Sequence, residues 1–176
     1  MKKIATFALL LTGLAISSNT QAQGGGDKSK RPSPPALVTQ TLASGAVVSI
    51  DYSQPSVKGR TIGKDLEPKA GEVWRTGANE ATVFETTKAL KINGKELPAG
   101  KYGLFSLSGT ETWTIIFNKT WKQWGAFTYK EADDALRIPA TVSKASPFAE
   151  KMSFAIDKNG LVTLLWGDNK VTFMVE

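Results

Sequence analysis

The sequence predicts an all-β fold: an antiparallel β-sandwich or jelly roll of about eight to nine strands with one short helical turn. Three observations carry this. Short apolar runs alternate with the period of a strand. Turn signals built from Gly, Pro, Asn and Asp recur every eight to twelve residues or so. Helical periodicity is nearly absent, apart from one or two turns in "YKEADDALR".

The chain opens like an export signal. Lys2 and Lys3 precede the apolar run "IATFALLLTGLAI", and Thr20 and Ala22 have the spacing of a cleavage site after Ala22. The run is shorter than the roughly 20 residues a membrane-spanning helix needs, so no transmembrane segment is expected. The expected destination is the periplasm or the medium. Residues 23–35, "QGGGDKSKRPSPP", contain no apolar residue beyond Pro and Gly and read as a disordered linker. Residues 36–176 are left as a single domain.

Within that domain "VVSIDYS" alternates, with Val48, Ile50 and Tyr52 on one face. "ATVFETT" is a short strand, and "ALKIN" ends at Asn93-Gly94, a hairpin turn signal. "LPAGKYGLFSL", "ETWTIIFN" and "KMSFAID" follow. "KNG" turns the chain into "LVTLLW", and "GDN" reads as a further turn before "KVTFMVE". Val48, Ile50, Leu104, Ile115, Phe154, Leu164 and Phe173 are the expected core. Leu164 is interchangeable with Leu165, because "LVTLLW" is apolar on both faces.

The composition excludes much chemistry. The chain has no Cys and no His, which removes the Ser-His-Asp and Cys-His arrangements and nearly all zinc and transition-metal sites. "DKNG" and "GDNK" lack the ligand spacing of a calcium loop and read as turns between strands, so no metal site and no cofactor are expected. The formal charge of +6 is misleading. Without Lys2 and Lys3 it is +4, and Asp27, Lys28, Lys30 and Arg31 in the linker account for +2 of that. A domain of +2 in an exported protein gives no ground for nucleic acid as a partner. Asp51, Glu80, Glu85, Asp133 and Asp134 are the carboxylates open to a hydrolase mechanism, and no pair stands out.

Two features mark candidate sites. The chain uses 18 Lys but only four Arg, of which Arg60, Arg75 and Arg137 lie in the domain. Arg makes planar, forked contacts that Lys cannot reproduce. In "VWRTGANEAT", Trp74, Arg75, Asn79 and Glu80 crowd around Gly77. One reading is a structural clamp in which Trp74 is buried, Gly77 takes a positive φ, and Arg75 or Arg60 is held by Glu80 or by loop carbonyls. The other is a ligand site that uses Arg75, Asn79 and Glu80. The second feature is "NKTWKQWGAFTY", which brings Trp121, Trp124, Phe127 and Tyr129 into twelve residues. Such rings either stack on a ligand or plug the open end of the fold.

The blocks "IDYSQPSVKGRTI", "VWRTGANEATVFETT", "INGKELPAGKYGLFSL", "WTIIFNKTWKQWGAF" and "DALRI" resemble an exported bacterial family catalogued as domain of unknown function 2911. The resemblance runs from about Ala36 to the C-terminus. It implies export and marks "WRTGANEAT" as a hallmark, and it brings no activity or catalytic residue with it. The sequence therefore points to a non-catalytic exported domain. Its first expected role is binding a glycan or another envelope ligand through Trp121, Trp124 and Tyr129 with Arg75, Asn79 and Glu80. A structural or protein-interaction domain is the alternative, and a carboxylate hydrolase the third.

Overall fold

In a computed structural model that describes residues 27–176, nine strands build two antiparallel sheets. They are β1 (Pro35–Thr41), β2 (Val47–Ser53), β3 (Thr82–Thr86), β4 (Leu90–Ile92), β5 (Lys95–Leu97), β6 (Gly100–Leu107), β7 (Thr112–Asn118), β8 (Asp134–Ile156) and β9 (Leu161–Met174). Seven of them form one sheet in the order β1-β2-β3-β6-β7-β8-β9, and β4 and β5 form a separate ribbon. The all-β class and the number of strands are as the sequence predicts. The connectivity is an up-and-down meander into which the β4–β5 hairpin is inserted. The expected helical turn is a single 3₁₀ turn, Glu131–Asp133. The expected export signal and the first residues of the expected linker lie outside the described residues.

The large sheet coils back on itself, with β1 and β9 as its end strands. The chain just after β2 bridges the far half of β8 at Ser56 and Lys151. There the Val57 N–H donates to the Glu150 carbonyl (2.8 Å) and the Met152 N–H to the Pro55 carbonyl (3.0 Å). The Tyr52 ring sits edge-on to Phe154 with centroids 5.0 Å apart. One core fills the interior, drawn from β2 to β9, the β4–β5 ribbon included through Leu90, Ile92 and Leu97. Val48, Ile50, Leu104, Ile115, Phe154, Leu164 and Phe173 are all buried in it. In the first half of β9 the inward set is Val162, Leu164 and Trp166, while Leu165 is only half-buried.

Three departures from the expected strands have physical causes. "GDN" is not a turn: "LVTLLW" and "KVTFMV" belong to the continuous β9, and Gly167, at φ 62°, absorbs an irregularity opposite Ala149. The segment before "KMSFAID" is also strand, because β8 runs unbroken from Asp134 and takes up extra residues at two bulges against β9. Pro139 within it has no N–H to give to the ladder. Where β8 and β9 stop exchanging bonds, Asn93 from the β4–β5 turn inserts its side-chain amide. It donates to the Pro139 carbonyl (2.7 Å) and accepts from the Met174 N–H (2.8 Å).

The third departure is the linker. Residues 27–35 are not disordered. Asp27 caps a 3₁₀ turn, Lys28–Lys30, and Pro35 already begins β1. Arg31 and Lys28 reach Glu80, and Asn79 donates to the Ser33 carbonyl at 3.0 Å. Side-chain pairing compensates for the apolar surface this segment lacks.

Candidate functional site

The outer face of β6 and β7 is covered by residues 119–130. Phe105, Ile116 and Ala81 form a second small apolar cluster there, with Ala126 and Tyr129 packed against it. Asn118, fully buried at the end of β7, shapes this loop. Its amide donates to the Lys130 carbonyl (3.0 Å) and to Asp134 (2.8 Å), and its oxygen accepts from the Thr120 N–H (2.9 Å). The loop is then stitched to "NEA". The Ala81 N–H donates to the Gln123 carbonyl and the Gly125 N–H to the Asn79 carbonyl, both at 3.0 Å, so Glu80 lies opposite Trp124.

That pairing creates a groove of about 470 Å³, walled by Trp121, Lys122 and Trp124 on one side and by Asp51, Tyr52 and Glu80 on the other. Trp124 is 55% exposed and Trp121 37%. Each indole has a cation near one face: Arg31 lies 5.9 Å from the Trp124 ring centre and Lys101 5.4 Å from that of Trp121. Of the two readings of the aromatic loop, the rings of Trp121 and Trp124 are surface, while Tyr129 is packed on Phe105 at 5.1 Å.

The expected site residues do not form one site. Tyr129 belongs to a separate polar cluster: it donates to Asp134 (2.7 Å) and accepts from Arg137 (2.6 Å). Burial, and then Asp134, push its hydroxyl pKa up to about 12. Arg75 and Asn79 line a different cavity from the one beside Glu80. The expected Arg75–Glu80 and Arg60–Glu80 clamps are absent. Glu80 is taken by Arg31 through two hydrogen bonds of 2.8 and 3.0 Å and by Lys28 at 3.0 Å. Arg60 bonds instead to the nearby Val57 and Ser56 carbonyls.

Arg31 lies 49 residues from Glu80 in a segment that reads as linker, so no local pattern pointed to it. Trp74 is buried as expected, with its indole N–H donating to the Gly77 carbonyl (3.0 Å) and its ring edge-on to Trp113. Gly77 does not take the positive φ; Thr76 (50°) and Asn79 (59°) do. Gly77 is needed for space, since a Cβ there would lie 2.7 Å from Thr82 Oγ1.

Electrostatics fix the state of Glu80. Burial acts to raise its pKa, but its own backbone N–H, Arg31 and Lys28 together outweigh that and lower it from 4.5 to about 2. A carboxyl whose folded pKa is depressed stabilises the fold above its unfolded pKa and loses that contribution as pH falls. The contribution is therefore complete above about pH 4.5 and fades towards pH 2. The melting temperature of wild type should fall towards that of Glu80→Gln across this window, and Arg31→Ala should narrow the gap. A gap independent of pH would mean that the pair contributes nothing.

Among the described residues no helix is long and apolar enough to cross a membrane, and no group of three or more His, Cys, Asp or Glu is placed to hold a metal ion. The model of the family described as "Protein of unknown function (DUF2911)" matches residues 33–175. The chain belongs to this family. In this DUF2911 member the matched region takes in all nine strands and both walls of the Trp121–Glu80 groove. Comparison with curated proteins and with solved structures gives no match.

Proposed function

We propose that this DUF2911 protein is an exported, non-catalytic binding module and that its groove takes a glycan. The observation that carries the reading is the pair of exposed indoles, Trp121 and Trp124, along one wall of the groove. Sugar rings present flat C–H faces that stack on such surfaces, while their hydroxyls need polar partners. Asp51 and Lys122 offer these: both line the groove, both are exposed, and neither forms an ion pair among the described residues. Export rests on the N-terminal charge, apolar run and cleavage spacing described above. Against a hydrolase, Glu80 is held ionised far below the usual range, opposite to what a general acid requires.

The test is Trp121→Ala combined with Trp124→Ala. Exposed side chains of this kind contribute little to stability, within about 0.5 kcal/mol each. The double variant should therefore melt within a few degrees of wild type and lose retention on a glycan array or on isolated envelope polysaccharide. Unfolding would show that the rings are structural. A folded variant that retains glycans would end this reading and turn attention to β1. That edge strand, with Leu37 66% exposed, favours the second reading, a protein-interaction domain.

A further inference from the structure

The groove beside Trp124 continues past Trp121. A second depression of about 460 Å³ adjoins it and shares Asp51, Val83 and Trp121 with it. Outward positions recur every second residue along a strand, and this builds the common floor. Ser53 and Asp51 of β2 line the first depression, and Asp51, Ser49 and Val47 line the second. β3 runs alongside, with Val83 opposite Asp51 and Glu85 opposite Ser49. At about 3.3 Å per residue, the run from Ser53 to Val47 is about 20 Å long. A single sugar ring covers only part of that length.

The flanks of this path are accessible. Leu37 and Thr39 of β1 are exposed and stand opposite Asp51 and Ser49. On the other flank the loop lies close on β6 at Gly103, where a Cβ would be 3.3 Å from the Thr120 carbonyl oxygen and 3.4 Å from the Trp121 Cα. That close approach fixes Trp121 where it lines both depressions. Thr39, Ser49 and Asp51 set hydroxyls and a carboxylate along the path, partners for the hydroxyls of a sugar chain. The charges largely cancel. Glu85 is paired with Lys101 at 3.2 Å and Glu80 with Lys28 and Arg31, so the unpaired charges along the path are Asp51 and Lys122, one of each sign. Such a lining gives a charged polymer no advantage over a neutral one.

We propose that the two depressions form one site for a linear, uncharged polysaccharide segment of several sugar units, laid along β2 and β3 with Trp121 midway. This rests on the glycan reading of the groove and adds the length and charge of the ligand. The test is isothermal titration calorimetry with gluco-, xylo-, manno- and N-acetylglucosamine oligomers of two and of six units, with hexagalacturonate as the charged comparison. In the series that binds, the hexamer should bind at least about tenfold tighter than the dimer. Ser49→Ile raises the floor of the second depression and removes its hydroxyl, and a β-branched residue suits a strand. It should bring the hexamer towards the affinity of the dimer and leave the dimer unchanged. If Ser49→Ile does not fold, Thr39→Ile, at an exposed position of β1, obstructs the same depression. The proposal is overturned if hexamer and dimer bind alike, if the folded variant binds the hexamer as wild type does, or if hexagalacturonate binds more tightly than every neutral hexamer. The glycan reading survives each of these results. If no oligomer binds wild type, that reading fails and this proposal fails with it.

Discussion

Phe117→Ala should destabilise the protein by about 3–5 kcal/mol, the range for truncating a fully buried aromatic residue. The ring is completely buried on β7 and meets three others edge-on: Phe84 of β3 at 5.0 Å, Tyr102 of β6 at 6.5 Å and Phe173 of β9 at 6.1 Å. Such pairs contribute about 0.5–1.5 kcal/mol each beyond the area they bury. The neighbours cannot close the gap, because each sits on a strand held in register by its own ladder. Urea unfolding measures the loss. Phe148→Ala, at a half-exposed ring, is the control and should cost far less. Equal costs would mean that the aromatic cluster is not the centre of the core.

Gly160→Ala should be nearly as damaging, at about 3–5 kcal/mol when backbone strain and overpacking are taken together. Gly160 closes the β8–β9 turn at φ 89°, and a Cβ there would collide with the Val175 carbonyl oxygen. That oxygen is backbone. It cannot swing aside, because Val175 is held by its N–H to the Gly160 carbonyl (2.9 Å) and by its bridge to Ile92. Gly59→Ala separates the two causes: Gly59 also has a positive φ, 72°, but nothing lies within 4 Å of its missing Cβ. It should cost about 1 kcal/mol, the conformational part alone. Similar thermal shifts for both variants would show that the Val175 contact relaxes freely.

These two positions mark how far the sequence could be read. Phe117 stands in "ETWTIIFN", whose alternation shows, and "KNG" shows as a turn. β2 matches "VVSIDYS" from end to end. β1 was not legible, because "PALVTQT" places only Ala36 and Val38 towards the core and follows a Pro-rich segment. The first half of β8 was hidden by Pro139 and by bulges that break its alternation. At the candidate sites, the spacing of Trp121 and Trp124 fits neither helix nor strand and left their surface position open. The division of Arg75 from Glu80 was not legible either, because the Glu80 partner comes from outside the domain as the sequence drew it. Side chains that pair across distant segments leave no periodicity.

The seam between the far half of β8 and the chain just after β2 bears on the order of assembly. Every ladder in that sheet joins strands that are neighbours along the chain, apart from the β4–β5 detour. Each strand can zip onto the last while closing a loop no longer than the 28 residues between β2 and β3. The seam is different: Tyr52, Pro55 and Ser56 must find Phe154, Met152 and Lys151 across most of the domain. Closing so long a loop costs more entropy and yields only a few backbone bonds, so it waits until the intervening strands have already shortened the distance. The meander is thus a ribbon that rolls up first and is fastened last, and the fastening lies beside the wall of both cavities, where Tyr52 and Pro55 stand.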